Sequence, residues 1–515
     1  MLLWGLLFVV ALIAAKIVIG RLVFARKERQ AGCSPFKFHK SDGVWGFANL
    51  VPILKAKKEG RILSFNRRYL YGDDRWPHQK TFTIFLGGNF AVATRDPENI
   101  KAVLATNFSH YQFGQRKQML SPLLGDGIFT LDGEGWKHSR TMLRPQFARE
   151  QVAHVQMLEP HVQRLVRQIY ARQGEVFDLQ ELFFRLTVDS ATEFLFGESV
   201  ESLSDGVIGQ ARSPEEVAAF PERENFSYAF DLSQDYLSQR VALQGAYFLK
   251  DGREFRQLND EVHRFSDYYV NKALAMSPAD LDLASRHGYV FLYELAKNCR
   301  DPKVLRDQAL NILLAGRDTT AGLLSFVFME LARHPDLWQK LRDEVHHRFG
   351  DSLEDITFES MKKCEYLQAV ISETLRMYPS VPKSFKVAVQ DTTLPRGGGA
   401  DGNDPMFVPK GTTLMYSVHA MHMDPDIYGK DADEFKPERW FDPQMKKMGW
   451  AYLPFNGGPR ICLGQQFALT EASYVLVRLL QTFETLGGPG AHEYPPLVRS
   501  NLTICLLNGC PVAFA

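Results

Sequence analysis

Phe455-Asn456-Gly457-Gly458-Pro459-Arg460-Ile461-Cys462-Leu463-Gly464 is the stretch whose reading decides the fold of this 515-residue chain. A Gly-rich turn carries one cysteine to the start of an apolar helical run, Gln466 to Phe483. Backbone amides and the positive end of a helix dipole favour an anion there, so Cys462 is a candidate thiolate. The alternative is a small buried hydrophobe, the commoner fate of a lone cysteine. The neighbours weigh toward the thiolate. Gly458 and Gly464 flank it where a planar ligand needs close backbone approach; Phe455 can shield the sulfur, and Arg460 can pair with an anionic group on such a ligand.

Outward from that loop, three further patterns carry chemistry. Trp136 and Arg140 are four apart, so on a helix they face the same way and can grip one object; they can equally be a stacked aromatic and cation on a surface. Asp301-Pro302 opens the longest helical pattern, which runs to Arg333 and stops before Pro335. In its middle lies Ala315-Gly316-Arg317-Asp318-Thr319-Thr320-Ala321-Gly322. Small residues and hydroxyls there can loosen the backbone ladder and leave a groove, with an acid beside a hydroxyl to relay protons; a slightly frayed core helix is the competing reading. Finally, Glu373 and Arg376 form an i, i+3 pair among Leu367, Val370, Ile371 and Leu375, so at least one partner is expected to be buried and to need its mate.

Together these motifs resemble the cytochrome P450 family of haem-thiolate monooxygenases. Phe455 to Gly464 matches every position of Phe-x-x-Gly-x-Arg-x-Cys-x-Gly. The resemblance implies a mainly α fold with a small β portion, a triangular prism of helices around haem b. It makes Cys462 the axial iron ligand, with Phe455, Gly458, Gly464 and Arg460 around the cofactor. Trp136 and Arg140 then direct themselves at a propionate, Asp318 and Thr319 deliver protons, and Glu373, Arg376 and Arg439 (of Pro437-Glu438-Arg439-Trp440) brace the cysteine loop. Lys386 stands where many relatives carry a propionate-binding arginine, and Trp440 replaces the usual Phe. Gly125 to Arg140, Leu314 to Leu324 and Phe455 to Ala468 are most similar to the alkane- and fatty-acid-hydroxylating branch of fungi, which implies terminal oxidation of a long chain. A sterol, terpenoid or aromatic substrate is the alternative, and a non-oxygenating haem isomerase or haem-binding protein a more distant one.

Composition sets the context. Lys plus Arg and Asp plus Glu are 60 each, a net charge of +0 that argues against a nucleic-acid partner. Six cysteines without metal-ligand spacing suggest neither a disulfide framework nor a zinc module. Leu2 to Ala15 is free of charge, and with the apolar residues up to Phe24 it has the length of a membrane helix; Arg26, Lys27 and Arg29 follow, so the positive-inside rule puts the rest on the cytoplasmic side. The expected organisation is an anchor over 1–25, a linker over 26–50 and a haem-binding catalytic domain over 51–515, on the endoplasmic reticulum membrane. With no flavin or nicotinamide motif in the chain, resemblance implies electrons from an NADPH-cytochrome P450 reductase, with Lys446 and Lys447 as candidate contacts, and a lipophilic substrate. Two hairpins are also expected: Thr81–Leu86 with Ala91–Thr94, and Leu502–Leu507 with Pro511–Phe514.

Overall fold

The longest core element, the central helix Pro302–Arg333, begins and ends where its sequence dictates. In the computed structural model, the Asp301 carboxylate accepts from the amides of Lys303 (2.9 Å) and Val304 (3.2 Å), and Pro302 fills a first-turn position whose N–H has no helical partner. The structure describes residues 2–40, 50–86, 89–148, 155–204, 222–488 and 493–515. Among the described residues this helix is long and apolar enough to cross a membrane, but its apolar window is 78% buried inside the protein, which makes it a core helix. It packs along Leu179–Phe196, with the Phe183 and Phe328 rings 5.2 Å apart. The run through 315–322 is unbroken α-helix, the second of the two readings open for it. The Thr319 and Ser325 hydroxyls donate back to the carbonyls four residues earlier, at 2.7 Å each, and satisfy themselves without opening the helix.

The β portion is a six-stranded mixed sheet in the order His39–Lys40, Thr81–Leu86, Asn89–Thr94, Thr413–Ser417, Lys383–Ala388, Tyr111–Gln112. Thr81–Leu86 and Asn89–Thr94 pair antiparallel, as the hairpin signal predicts. The expected C-terminal hairpin does not form. Ile504–Leu506 pairs with Val498–Ser500, whereas Pro511–Phe514 pairs with Leu486–Gly487 and Phe177–Asp178. Long-range pairing wins because Ile504–Leu506 must also lie against the central helix: a Cβ on Gly322 would sit 2.7 Å from the Ile504 carbonyl oxygen, so only glycine admits the contact.

At the N-terminus, residues Leu2–Gln30 are one helix, longer than the expected anchor. Trp4, Leu7, Phe8, Val9, Leu12, Val18, Ile19 and Leu22 are exposed along it. Its last turns dock on the sheet side: Phe24 packs edge-on against Phe36 and Phe407, and Lys27 bridges to Asp391 at 2.8 Å. A linker over 26–50 is therefore already helical to residue 30, and residues 41–49 of it lie outside the described residues.

Candidate functional site

The cysteine loop is held from below by a network without loose ends. Glu373 and Arg376, on the helix Glu365–Met377, are both fully buried and bonded twice, at 2.8 and 2.9 Å. Arg439 adds a 3.1 Å bond to Glu373, and Trp440 Nε1 donates to the same carboxylate at 3.0 Å, a hydrogen bond that the usual Phe could not make. Arg376 donates its remaining hydrogens to the carbonyls of His422, Ala432 and Glu434. The brace expected of Glu373, Arg376 and Arg439 is assembled as read.

His422, which no sequence pattern marked, joins this brace to the loop. The Leu453 amide donates to His422 Nε2 at 2.8 Å, so Nδ1 carries the proton and donates to the Arg376 carbonyl at 3.1 Å. Burial, aided by Arg376, holds the imidazole pKa down at about 3, and the ring is neutral. From Leu453 the chain turns through Asn456 in left-handed conformation (φ 62°) and Gly458 (φ 67°) to Cys462, whose amide donates to the Phe455 carbonyl at 3.0 Å. A Cβ on Gly458 would lie 2.0 Å from the Leu104 carbonyl oxygen. Gly458 is therefore demanded by the packing of backbone on backbone. Gly464 differs: a Cβ there would meet nothing closer than Phe147 at 3.7 Å.

Cys462 is solvent-accessible, yet protein crowds it enough that burial pushes its thiol pKa up, against the smaller opposing pull of the Gly464 amide and Arg140. The helix start alone does not make it a thiolate, because desolvation outweighs the amides. A bound metal ion would supply the missing stabilisation.

Above the loop the charges do not balance. Arg460 packs its guanidinium 4.3 Å from the Trp136 ring and 4.1 Å from Phe113, and bonds Asp132 at 2.7 Å. Its Nε is buried without a hydrogen-bond partner. Lys386 is buried with its ammonium 3.7 Å over Phe113, and burial, Arg116 and Arg460 drive its pKa well down. Burial likewise lowers Arg116 and Arg460 to about 10. Arg140 donates to the Ile461 carbonyl at 3.0 Å and reaches both Cys462 and Arg460 electrostatically. Arg116, Lys386 and Arg460 thus share one carboxylate, Asp132, with Arg140 as a fourth cation beside them. Sequence reasoning named Trp136, Arg140, Arg460 and Lys386 but missed Arg116 and Asp132; the position of Asp132 directly before the helix Gly133–Leu143 suggests a cap, but its side chain caps nothing there. A buried cation surplus, an unpartnered guanidinium nitrogen and a single accessible thiol fit haem b: two propionates for the cations, one iron for the sulfur.

Asp318 and Thr319 are adjacent on the central helix but engage different partners. Burial raises the Asp318 carboxyl pKa to about 6 against the opposing pull of Arg317, 3.2 Å away. Arg317 also bonds Asp231 on the helix Glu222–Leu243. The Thr319 hydroxyl donates to Ala315, and its carbonyl accepts from Ser380 Oγ at 3.3 Å. One residue on, Thr320 reaches Glu471 of the cysteine helix Gln465–Thr482, so the acid–hydroxyl pair and the cysteine belong to touching elements.

Residues 72–504 match the family described as Cytochrome P450. The chain is 58% identical to Cytochrome P450 52A12 of Debaryomyces hansenii over 90% of its length and 89% of that protein. Against Cytochrome P450 52A10 of Candida maltosa the identity is 55%, over 98% of both chains. Among solved structures it resembles the cytochrome P450DA heme domain, with a TM-score of 0.70 over 94% of this chain and 96% of that one, at 21% identity.

Proposed function

The chain belongs to the cytochrome P450 family, and from that premise we propose that it hydroxylates a long-chain aliphatic substrate, an n-alkane or fatty acid, at or near the terminal carbon. The observation that carries the chemistry is the cation-rich, carboxylate-poor seat beside an accessible Cys462. Haem b bound there supplies the activation of dioxygen and insertion of one oxygen atom into a C–H bond. Cys462 would ligate its iron, Arg116, Arg140, Lys386 and Arg460 would hold its propionates, and Trp136 packs against the Arg460 guanidinium.

Asp318 handles protons. A carboxyl with pKa about 6 is divided between its two forms near neutral pH, so it can both release and regain a proton. It must first leave Arg317, and the Arg317–Asp231 contact gives the guanidinium another carboxylate to hold meanwhile. Thr319 offers its oxygen as a hydrogen-bond acceptor, and it passes a proton on only when its own hydrogen turns away from the Ala315 carbonyl.

Electrons come from an NADPH-cytochrome P450 reductase, for which the exposed Lys446 and Lys447 offer a positive contact. The exposed apolar face of Leu2–Gln30, followed by Arg26, Lys27 and Arg29, supports a single-pass anchor in the endoplasmic reticulum with the catalytic domain in the cytoplasm. Reconstitution with reductase and NADPH tests the substrate class: hexadecane or hexadecanoate is expected to yield terminal oxidation products. Turnover of sterols or aromatics, with none of the linear chains, would overturn it.

A further inference from the structure

The short loop from Gly125 to Asp132 is gripped on two flanks, by the central helix and by Arg460. On the helix side, Asp307, Gln308 and Asn311 share one face of Pro302–Arg333, and all three are buried. The Asp307 carboxylate accepts from the Asp126 amide at 2.8 Å, Gln308 donates to the Asp126 carbonyl at 3.1 Å, and Asn311 Oδ1 accepts from the Phe129 amide at 3.3 Å. Asn311 Nδ2 donates both hydrogens, to the Leu124 carbonyl at 2.9 Å and to the Asp307 carbonyl of its own helix at 2.7 Å. The approach is close: a Cβ on Gly127 would sit 2.4 Å from Asn311 Nδ2. Inside the loop, Thr130 Oγ1 donates to the Gly125 carbonyl at 2.9 Å and accepts from the Gly127 amide at 2.8 Å, which ties the two ends of the turn together.

On the other flank Arg460 reads the same loop. Its Nη1 donates to the Ile128 carbonyl at 3.3 Å, and its Nη2 donates to the Leu131 carbonyl at 3.0 Å and to the Asp132 carboxylate at 2.7 Å. Asp132 is itself held by the Phe113 amide at 2.8 Å. Both Nη2 hydrogens are therefore committed to the loop, while Nε is buried with no hydrogen-bond partner and is free for an anion. A planar guanidinium is aimed by the acceptors it meets. The aim of Arg460 thus depends on the loop, and the loop on the central helix, which carries Asp318 and Thr319 about 12 Å beyond Asn311. We propose that Asn311 is a positioning residue for the cofactor: through the loop it aims Arg460 Nε at a haem propionate, and so ties that edge of the porphyrin to the helix of Asp318 and Thr319. The inference rests on the propionate seat proposed above and goes beyond it by naming what aims the seat.

The full chain loaded with protohaem, or with its dimethyl ester, whose propionates carry no charge, tests it by the rate of porphyrin loss to an apo-globin acceptor. Asn311→Leu is expected to accelerate protohaem loss roughly tenfold and to leave loss of the dimethyl ester unchanged, because the ester gives Arg460 no anion to hold. Gly127→Ala pushes the loop away from Asn311 and is expected to act in the same direction. A residue that only stabilised the fold would accelerate loss of both porphyrins by one factor. That outcome, or protohaem loss at the wild-type rate in Asn311→Leu, would overturn the assignment; if Asn311→Leu does not fold, the same two outcomes are read from Gly127→Ala. Wild-type chain that loses the two porphyrins at equal rates would overturn the cation seat itself.

Discussion

Two clusters of arginines border Phe455–Gly464, and they are built on opposite principles. Below the loop, Glu373 serves Arg376, Arg439 and Trp440 at once, and the spare guanidinium hydrogens of Arg376 go to carbonyls. Above it, Arg116, Lys386 and Arg460 share Asp132 with Arg140 beside them, and although Arg460 also donates to the Ile128 and Leu131 carbonyls, its Nε has no hydrogen-bond partner. The difference lies in what compensates the cations. A cluster compensated by the protein's own groups holds shape; one left uncompensated awaits an anionic ligand.

The comparison can be broken experimentally. Cys462→Ser has the largest expected effect: complete loss of the thiolate-type Soret band in the reduced carbon monoxide spectrum, with no turnover, since the loop then offers no sulfur to iron. Glu373→Gln leaves two buried guanidinium groups short of their carboxylate and should cost about 3–5 kcal/mol in denaturant unfolding. A loss under about 1 kcal/mol would mean that the carbonyls alone satisfy the brace.

Acid attacks the same brace. His419 and His422 are both buried, with pKa values lowered to about 3 by desolvation. The unfolded chain takes up these protons near pH 6.5 and the folded one does not, so stability is full above 6.5 and falls as pH drops toward 3. The expected slope is about 1.4 kcal/mol per pH unit for each histidine. Unfolding midpoints that stay flat between pH 6.5 and 5 would contradict the neutral bridge from Arg376 to Leu453. The smallest effect has the opposite sign. Lys386→Met removes an uncompensated buried charge and should stabilise the haem-free protein by about 1 kcal/mol while accelerating haem loss to an apo-globin acceptor. Destabilisation of the haem-free form would place Lys386 with the brace and not with the ligand seat.

How far the sequence reached differs from residue to residue. The central helix was legible to its last residue, because Asp301-Pro302 and Pro335 act locally through capping and steric exclusion. Glu373–Arg376 was legible since both lie on one helix face. Arg116, Asp132 and His422 were not. Each meets its partners across long stretches of chain, Arg116 with Ser384 and Asp132 with Arg460, and nothing near them in sequence signals the encounter. The hairpin expected of Leu502–Leu507 and Pro511–Phe514 failed for the same reason: the turn preference of the Asn508-Gly509 pair between them, worth little by itself, yielded to strand partners supplied by Phe177–Asp178 and Leu486–Gly487.

By itself the sequence determined the cysteine, its loop, the helix ends and the family to which their spacing belongs, all consequences of short-range geometry. Tertiary structure alone decided the roles of the glycines and the charges. Gly458 serves Leu104, the Cys462 thiol is raised by burial in spite of the helix start, and the Lys386 ammonium is driven well down by burial and by Arg116 and Arg460. Desolvation and charge balance depend on everything packed around a group, and only the folded chain specifies that surrounding.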